Sequence, residues 1–152
     1  MFEIEIFTKE GFKDSRGEHV LSDILGIGIE GVAKVNYASL YIIDGAVTQD
    51  EAQAIASELL SDKITESYTI DSKSPHCGTF NSFVIEVFYK KGVTDTVAES
   101  VVKAVKDLGI VEEVKVRTGH KYYIYGNVSH DVLDKIAVKL LANTLVQEYK
   151  IK

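Results

Sequence analysis

An α+β fold built from two tandem βαββαβ units with antiparallel sheets is predicted for this chain by three observations. The sequence matches itself without a gap from Phe2 on Phe83 to Ile70 on Ile151. Each copy alternates short β-patterned runs with apolar residues at helical spacing, and one polar, aperiodic stretch separates the copies.

In each copy the first element is a strand. Phe2 to Lys9 and Phe83 to Lys90 alternate in apolar character and are rich in β-branched and aromatic residues. Gly11 and Gly92 end these strands at identical places in the repeat, which marks them as turn residues that need a glycine conformation. Ser15-x-x-Glu18 and Thr96-x-x-Glu99 follow as capping boxes, and Val97, Val101, Val105 and Leu108 set the helical period that Gly109 closes. Two strands come next in each copy, Val32 to Tyr37 with Leu40 to Gly45 and Val114 to Arg117 with Lys121 to Gly126.

Thr48-x-x-Glu51 and Ser129 cap the second helices. Their apolar faces are Ala52, Ile55, Ala56, Leu59 and Leu60, and Leu133, Ile136, Ala137, Leu140 and Leu141. Closing strands run from Ile64 to Ile70 and from Leu145 to Ile151. The expected organisation is therefore a first unit at 1–71, a linker at 72–82 carrying the only proline, and a second unit at 83–152. A unit of this size buries only about 60% of its unfolded surface, so two that share a face solve a stability problem neither solves alone.

The composition is that of a globular protein, 45% hydrophobic and 26% charged, and no run of residues matches a membrane span or a secretory leader. The single cysteine, Cys77, forms no internal disulfide, and a cytoplasmic location is expected. A net charge of −6, with Lys and Glu interspersed, argues against nucleic acid as a partner.

Several motifs fall short of chemistry. Gly26-Ile27-Gly28-Ile29-Glu30-Gly31 matches the dinucleotide fingerprint in letters but follows a helix and enters a strand, the reverse of what a pyrophosphate requires. The four histidines are scattered, so no metal site is assigned, and Cys77 has only its neighbour His76 as a base. Tyr122, Tyr123 and Tyr125 on the third strand of the second unit match Tyr41, Ile42 and Asp44 in the first copy, and with the negative overall charge packing explains them better than RNA. No catalytic residue is assigned. The remaining cluster, Arg117-Thr118-Gly119-His120-Lys121, is expected to be a partly basic turn between two strands, with Arg117, His120 and Lys121 as candidate contacts to a partner or anion.

Lys9, Gly11 and Asp14, repeated as Lys90, Gly92 and Asp95, together with Leu108 to Ile110, Val114 to Lys121, Leu140 to Asn143 and Val146 to Tyr149, resemble the PurS family. PurS is the small subunit of phosphoribosylformylglycinamidine synthase. Its members have one such unit and pair as dimers, so the resemblance implies an intramolecular pseudo-dimer, or the equivalent N-terminal region of a longer synthase. It further implies a non-catalytic part that docks synthetase (PurL-type) and glutaminase (PurQ-type) partners and supports ammonia transfer, with ATP and Mg used by the synthetase and no cofactor bound here. A tandem ACT-like module that binds small molecules such as amino acids is the rival reading.

Overall fold

A computed structural model describes residues 1–72 and 82–152 of the chain. Most of the expected linker, with His76 and Cys77, lies outside the described residues. The strands are β1 (Phe2–Thr8), β2 (Val32–Asp44), β3 (Glu66–Ile70), β4 (Ser82–Tyr89), β5 (Lys115–Gly126) and β6 (Gln147–Ile151). The helices are α1 (Ser15–Gly26), α2 (Gln49–Ala54), α3 (Thr96–Asp107) and α4 (His130–Ile136), and α2 and α4 run on into π-helical segments, Ile55–Leu60 and Ala137–Leu141. The strand order is β3-β1-β2-β5-β4-β6, antiparallel in the pairs β1 with β2, β1 with β3, and β4 with β6. The α+β class, the repeat and the antiparallel sheet are as the sequence predicts. Among the described residues, no helix is long and apolar enough to cross a membrane.

The two middle strands of each repeat differ from expectation in one respect. They run on without a turn, as the 13 residues of β2 and the 12 of β5. A reversal at Arg117 to Lys121 would draw on Gly119, which is not among the described glycines with positive φ.

The chain divides into two compact units, and each draws on both repeats. The first holds Met1–Phe12 with β1, the Ala38–Asp44 part of β2, α2, β3, and then Thr94–Gly119 with α3 and the start of β5. Its core joins Ile4, Ile6, Ile43, Ile55 and Ala56 from the first repeat to Val101, Val105, Val111 and Val114 from the second. The second unit holds Lys13–Tyr37 with α1 and the start of β2, then β4, then His120–Lys152. Its core joins Val20, Ile24, Ile29, Val32 and Val35 to Ile85, Val87, Tyr122, Ile124, Leu133 and Ile136. Each repeat thus lends its first helix to the other repeat's outer strands.

Helix ends follow local chemistry. Thr48 and Glu51 form the expected capping box, and the Ser129 side chain accepts from the Val132 N–H. At α1 and α3, however, the caps are Asp14 and Asp95, one residue before the expected Ser15 and Thr96. The Gly26 to Gly31 stretch closes α1: Ile29 N–H donates to Ile24 O, Gly28 N–H donates to Leu25 O, and Gly28 has φ +83°. Gly109, at φ +68°, closes α3 with the same pair of bonds from Ile110 and Gly109. The buried face of α3 is Ala98, Val101 and Val105, while Val97 and Leu108 are exposed. Steps of four residues drift about 40° around a helix each time, which carries Val97 off the stripe that Val101 and Val105 define.

Candidate functional site

Lys9, Gly11 and Asp14, with Lys90, Gly92 and Asp95, have paired structural tasks. Lys9 Nζ donates to Lys63 O at 2.7 Å and Lys90 Nζ donates to Thr144 O at 2.6 Å, tying the first strand of each repeat to the turn before its last. Gly11 and Gly92 hold φ of +89° and +88°, a region costly for any residue with a Cβ. Asp14 accepts from the Gly17 N–H and from the Tyr37 N–H on β2, at 2.9 Å each. Asp95 accepts from the Ala98 N–H at 3.0 Å and from the Thr118 N–H on β5 at 2.8 Å. Since β1 pairs with β2 only as far as Phe7 opposite Ala38, the Asp14 carboxylate supplies the next acceptor along that edge of β2. Sequence reasoning identified these aspartates as part of a motif and missed what they hold.

The three candidate contact residues all lie on β5. Arg117 lies in the first unit and is exposed, whereas His120 and Lys121 lie in the second. Neighbouring residues in a strand point to opposite faces, and His120 and Lys121 accordingly meet different groups. The Tyr37 hydroxyl and His120 Nδ1 share a hydrogen bond of 2.6 Å. The Arg16 guanidinium carbon lies 4.3 Å from the centre of the Tyr37 ring, and the Tyr37 and Tyr122 rings are 5.4 Å apart. Tyr122 is buried, which pushes its phenol above its ordinary 10.0, and Arg16 pulls in the opposite direction. In the repeat match Arg16, Tyr37, His120 and Tyr122 correspond to Val97, Thr118, Ser39 and Tyr41, so this cluster is built once.

Lys121 faces Glu86, a β4 carboxylate whose side chain is only 9% exposed. Lys152 Nζ donates to Glu86 Oε1 at 2.8 Å, Lys121 Nζ stands 3.8 Å from the same oxygen, and it also lies 5.4 Å from the Tyr123 ring centre. A carboxylate this deep must be compensated, and two ammonium groups do so. The corresponding positions of the first repeat, Glu5, Leu40 and Asp71, do not reproduce that set of charges. Lys121 is therefore a compensating charge within the second unit, 13% exposed.

The first unit has a shallow groove of about 490 Å³ lined by Asp44, Gly45, Ala46, Lys106, Glu113, Val114 and Lys115, a lining of mixed charge. Among the described residues, no three or more His, Cys, Asp or Glu side chains converge to hold a metal ion.

The family model PurS, phosphoribosylformylglycinamidine (FGAM) synthase, matches residues 1–74 and 82–152, which is nearly the whole chain as two tandem copies. A search of the curated proteins found no match.

Proposed function

Since the chain belongs to the PurS family of phosphoribosylformylglycinamidine synthase, and so has its role in purine biosynthesis, we propose that it is a non-catalytic assembly part of that synthase. It holds a synthetase (PurL-type) and a glutaminase (PurQ-type) part together in the cytoplasm and supports passage of ammonia between them. ATP and Mg are used by the synthetase part, and this chain binds no cofactor.

The observation that carries the reading is what the duplication keeps. Features that hold shape occur in both repeats: the lysine ties, the left-handed glycines and the aspartates that join helix to strand. The polar pairs best suited to chemistry, His120 with Tyr37 and Lys121 with Glu86, are not repeated at the matching positions. A scaffold needs the first kind twice, while a pair of active sites would need the second kind twice. Of Arg117, His120 and Lys121, the exposed Arg117 is the side chain offered to a partner, and the other two set the shape of β5 around it.

Purified synthetase and glutaminase parts from the same organism, supplied with ATP, glutamine and the substrate amide, test this. Adding the chain should raise glutamine-driven turnover and co-elute with both parts, and ammonia-driven turnover should depend on it less. Full glutamine-driven activity without the chain, and no co-elution with it, refutes the assembly role.

A further inference from the structure

The turns that precede β3 and β6 are built by one device with two sets of charges. In the first, Asp62 Oδ1 accepts from the N–H groups of Ile64 and Thr65 at 2.8 and 3.2 Å, and Glu66 Oε1 accepts from the Asp62 N–H at 2.9 Å. In the second, Asn143 Oδ1 accepts from the Leu145 N–H at 3.2 Å and Gln147 Oε1 accepts from the Asn143 N–H at 2.8 Å. The lysine ties of Lys9 and Lys90 fasten both turns. Each turn carries a large aliphatic side chain outward at its tip, Ile64 at 73% and Leu145 at 85% exposure. A single exposed aliphatic residue is ordinary. The same one at the tip of the same braced turn, twice in one chain, is not explained by the core, because neither belongs to it.

The charges around the two tips are opposite. Glu58, Asp62, Lys63 and Glu66 near Ile64 correspond to Lys139, Asn143, Thr144 and Gln147 near Leu145. With the lysine ties counted, three carboxylates and two lysines around the first turn become two lysines and the Glu148 carboxylate around the second, and the acid-to-amide exchanges keep two of the three side-chain hydrogen bonds. Shape and the aliphatic tip are held constant while the field around them changes sign, which suits one kind of socket with two kinds of rim. A braced tip also enters a socket with little further loss of conformational freedom.

We infer that Ile64 and Leu145 are docking points for two different protein sockets in the synthase, an aliphatic socket with a basic rim for Ile64 and one with an acidic rim for Leu145. This rests on the assembly role proposed above and deepens it by naming the contact residues and the chemistry of their sockets.

Binding of the full chain to the purified synthetase and glutaminase parts, measured separately by calorimetry at low and moderate salt, provides the test. Ile64→Ser should weaken binding to one part by about tenfold or more, and Leu145→Ser should do the same to the other. Asp62→Asn with Glu66→Gln, which copies the second turn's bonding, should weaken only the Ile64 partner and lessen the salt dependence of its binding. Unchanged affinities for both serine variants, with wild-type binding intact, overturn this inference and leave the assembly role standing. Loss of binding to the same part in both variants overturns the two-socket assignment. A wild-type chain that binds neither part overturns the assembly role and this inference together.

Discussion

The Asp95 carboxylate accepts from the backbone N–H of Thr118 at 2.8 Å, and the Thr118 hydroxyl donates to the same carboxylate at 2.9 Å, so the cap of α3 is also a rivet to β5. Removing it breaks a helix cap and leaves a strand N–H without its acceptor. Asp95→Ala is expected to cost about 2–3 kcal/mol, more than the roughly 1 kcal/mol of an ordinary cap. Asp14→Ala should behave alike, since Asp14 joins α1 to Tyr37. Denaturant midpoints check this, and a loss no larger than that of Ser129→Ala would mean that the strand contact contributes nothing.

Gly17 reverses a usual rule. Glycine to alanine inside a helix gains up to about 1 kcal/mol by propensity. Here the added Cβ would stand 2.3 Å from Val35 O and 2.8 Å from Asp14 Oδ2. Gly17→Ala should therefore lower stability by about 1–3 kcal/mol through overpacking. The second repeat has Ala98 at this position, and Ala98→Gly should also destabilise, for the opposite reason, by about 1 kcal/mol.

Gly92 isolates the backbone contribution. No heavy atom lies within 4 Å of where its Cβ would be, so Gly92→Ala tests φ +88° alone. A cost of about 1–2 kcal/mol in chemical unfolding is expected, with Gly11→Ala matching it. No change in either variant would show that the turn relaxes freely.

Burial sets the direction of alkaline behaviour at Tyr122. Its folded pKa is raised above the ordinary 10.0, first by burial, so the folded state favours the neutral phenol. The corresponding stability is fully present below about pH 10 and is lost as the pH rises through the folded value, because the unfolded phenol ionises first. The stability of the wild type relative to Tyr122→Phe should accordingly fall above pH 10. A constant difference across that range would contradict the sign.

Residues 1–72 and 82–152 expressed apart should each lack half of two cores. The first piece has Ile4, Ile6 and Ile43 without Val101 and Val105, and the second has Ile85 and Val87 without Val20 and Ile24. Each is expected to self-associate or stay largely unfolded, and mixing them should restore helix content and a one-to-one complex by mass. Two stable monomeric pieces that ignore each other would refute this.

Much of this fold is legible in the residues. The self-match, the period-two runs, the Thr48 and Ser129 caps and the glycine ends at Gly28 and Gly109 all depend on neighbours a few positions away. The unread parts depend on distant ones. Ser15-x-x-Glu18 is a sound capping pattern, and Asp14 displaces it because its carboxylate also has Tyr37 to hold, 23 residues on. Gly119 suggests a turn at Arg117 to Lys121. The first repeat's Asn36 to Leu40 contains neither glycine nor proline, and comparing the two would have argued for a continuous strand. The exchange of α1 and α3 is invisible to periodicity because both repeats present the same kind of apolar face, and the strands of either repeat satisfy it. His120 and Lys121 read as one polar cluster in sequence, yet alternation along β5 sends them to Tyr37 and Glu86.

The interleaving of the two cores also sets a timetable for synthesis. When β3 has been made, Ile4, Ile6, Ile43 and Ile55 are all present, yet the helix that covers them, α3, begins at Thr96 and the strand segment beside it ends at Gly119. At roughly 5–20 residues per second, the nascent first unit waits several seconds for its missing pieces. During that interval its unfinished β-rich face is open to chaperones and to other nascent chains of the same kind, so crowding on a shared message would favour exchange between chains over closure within one.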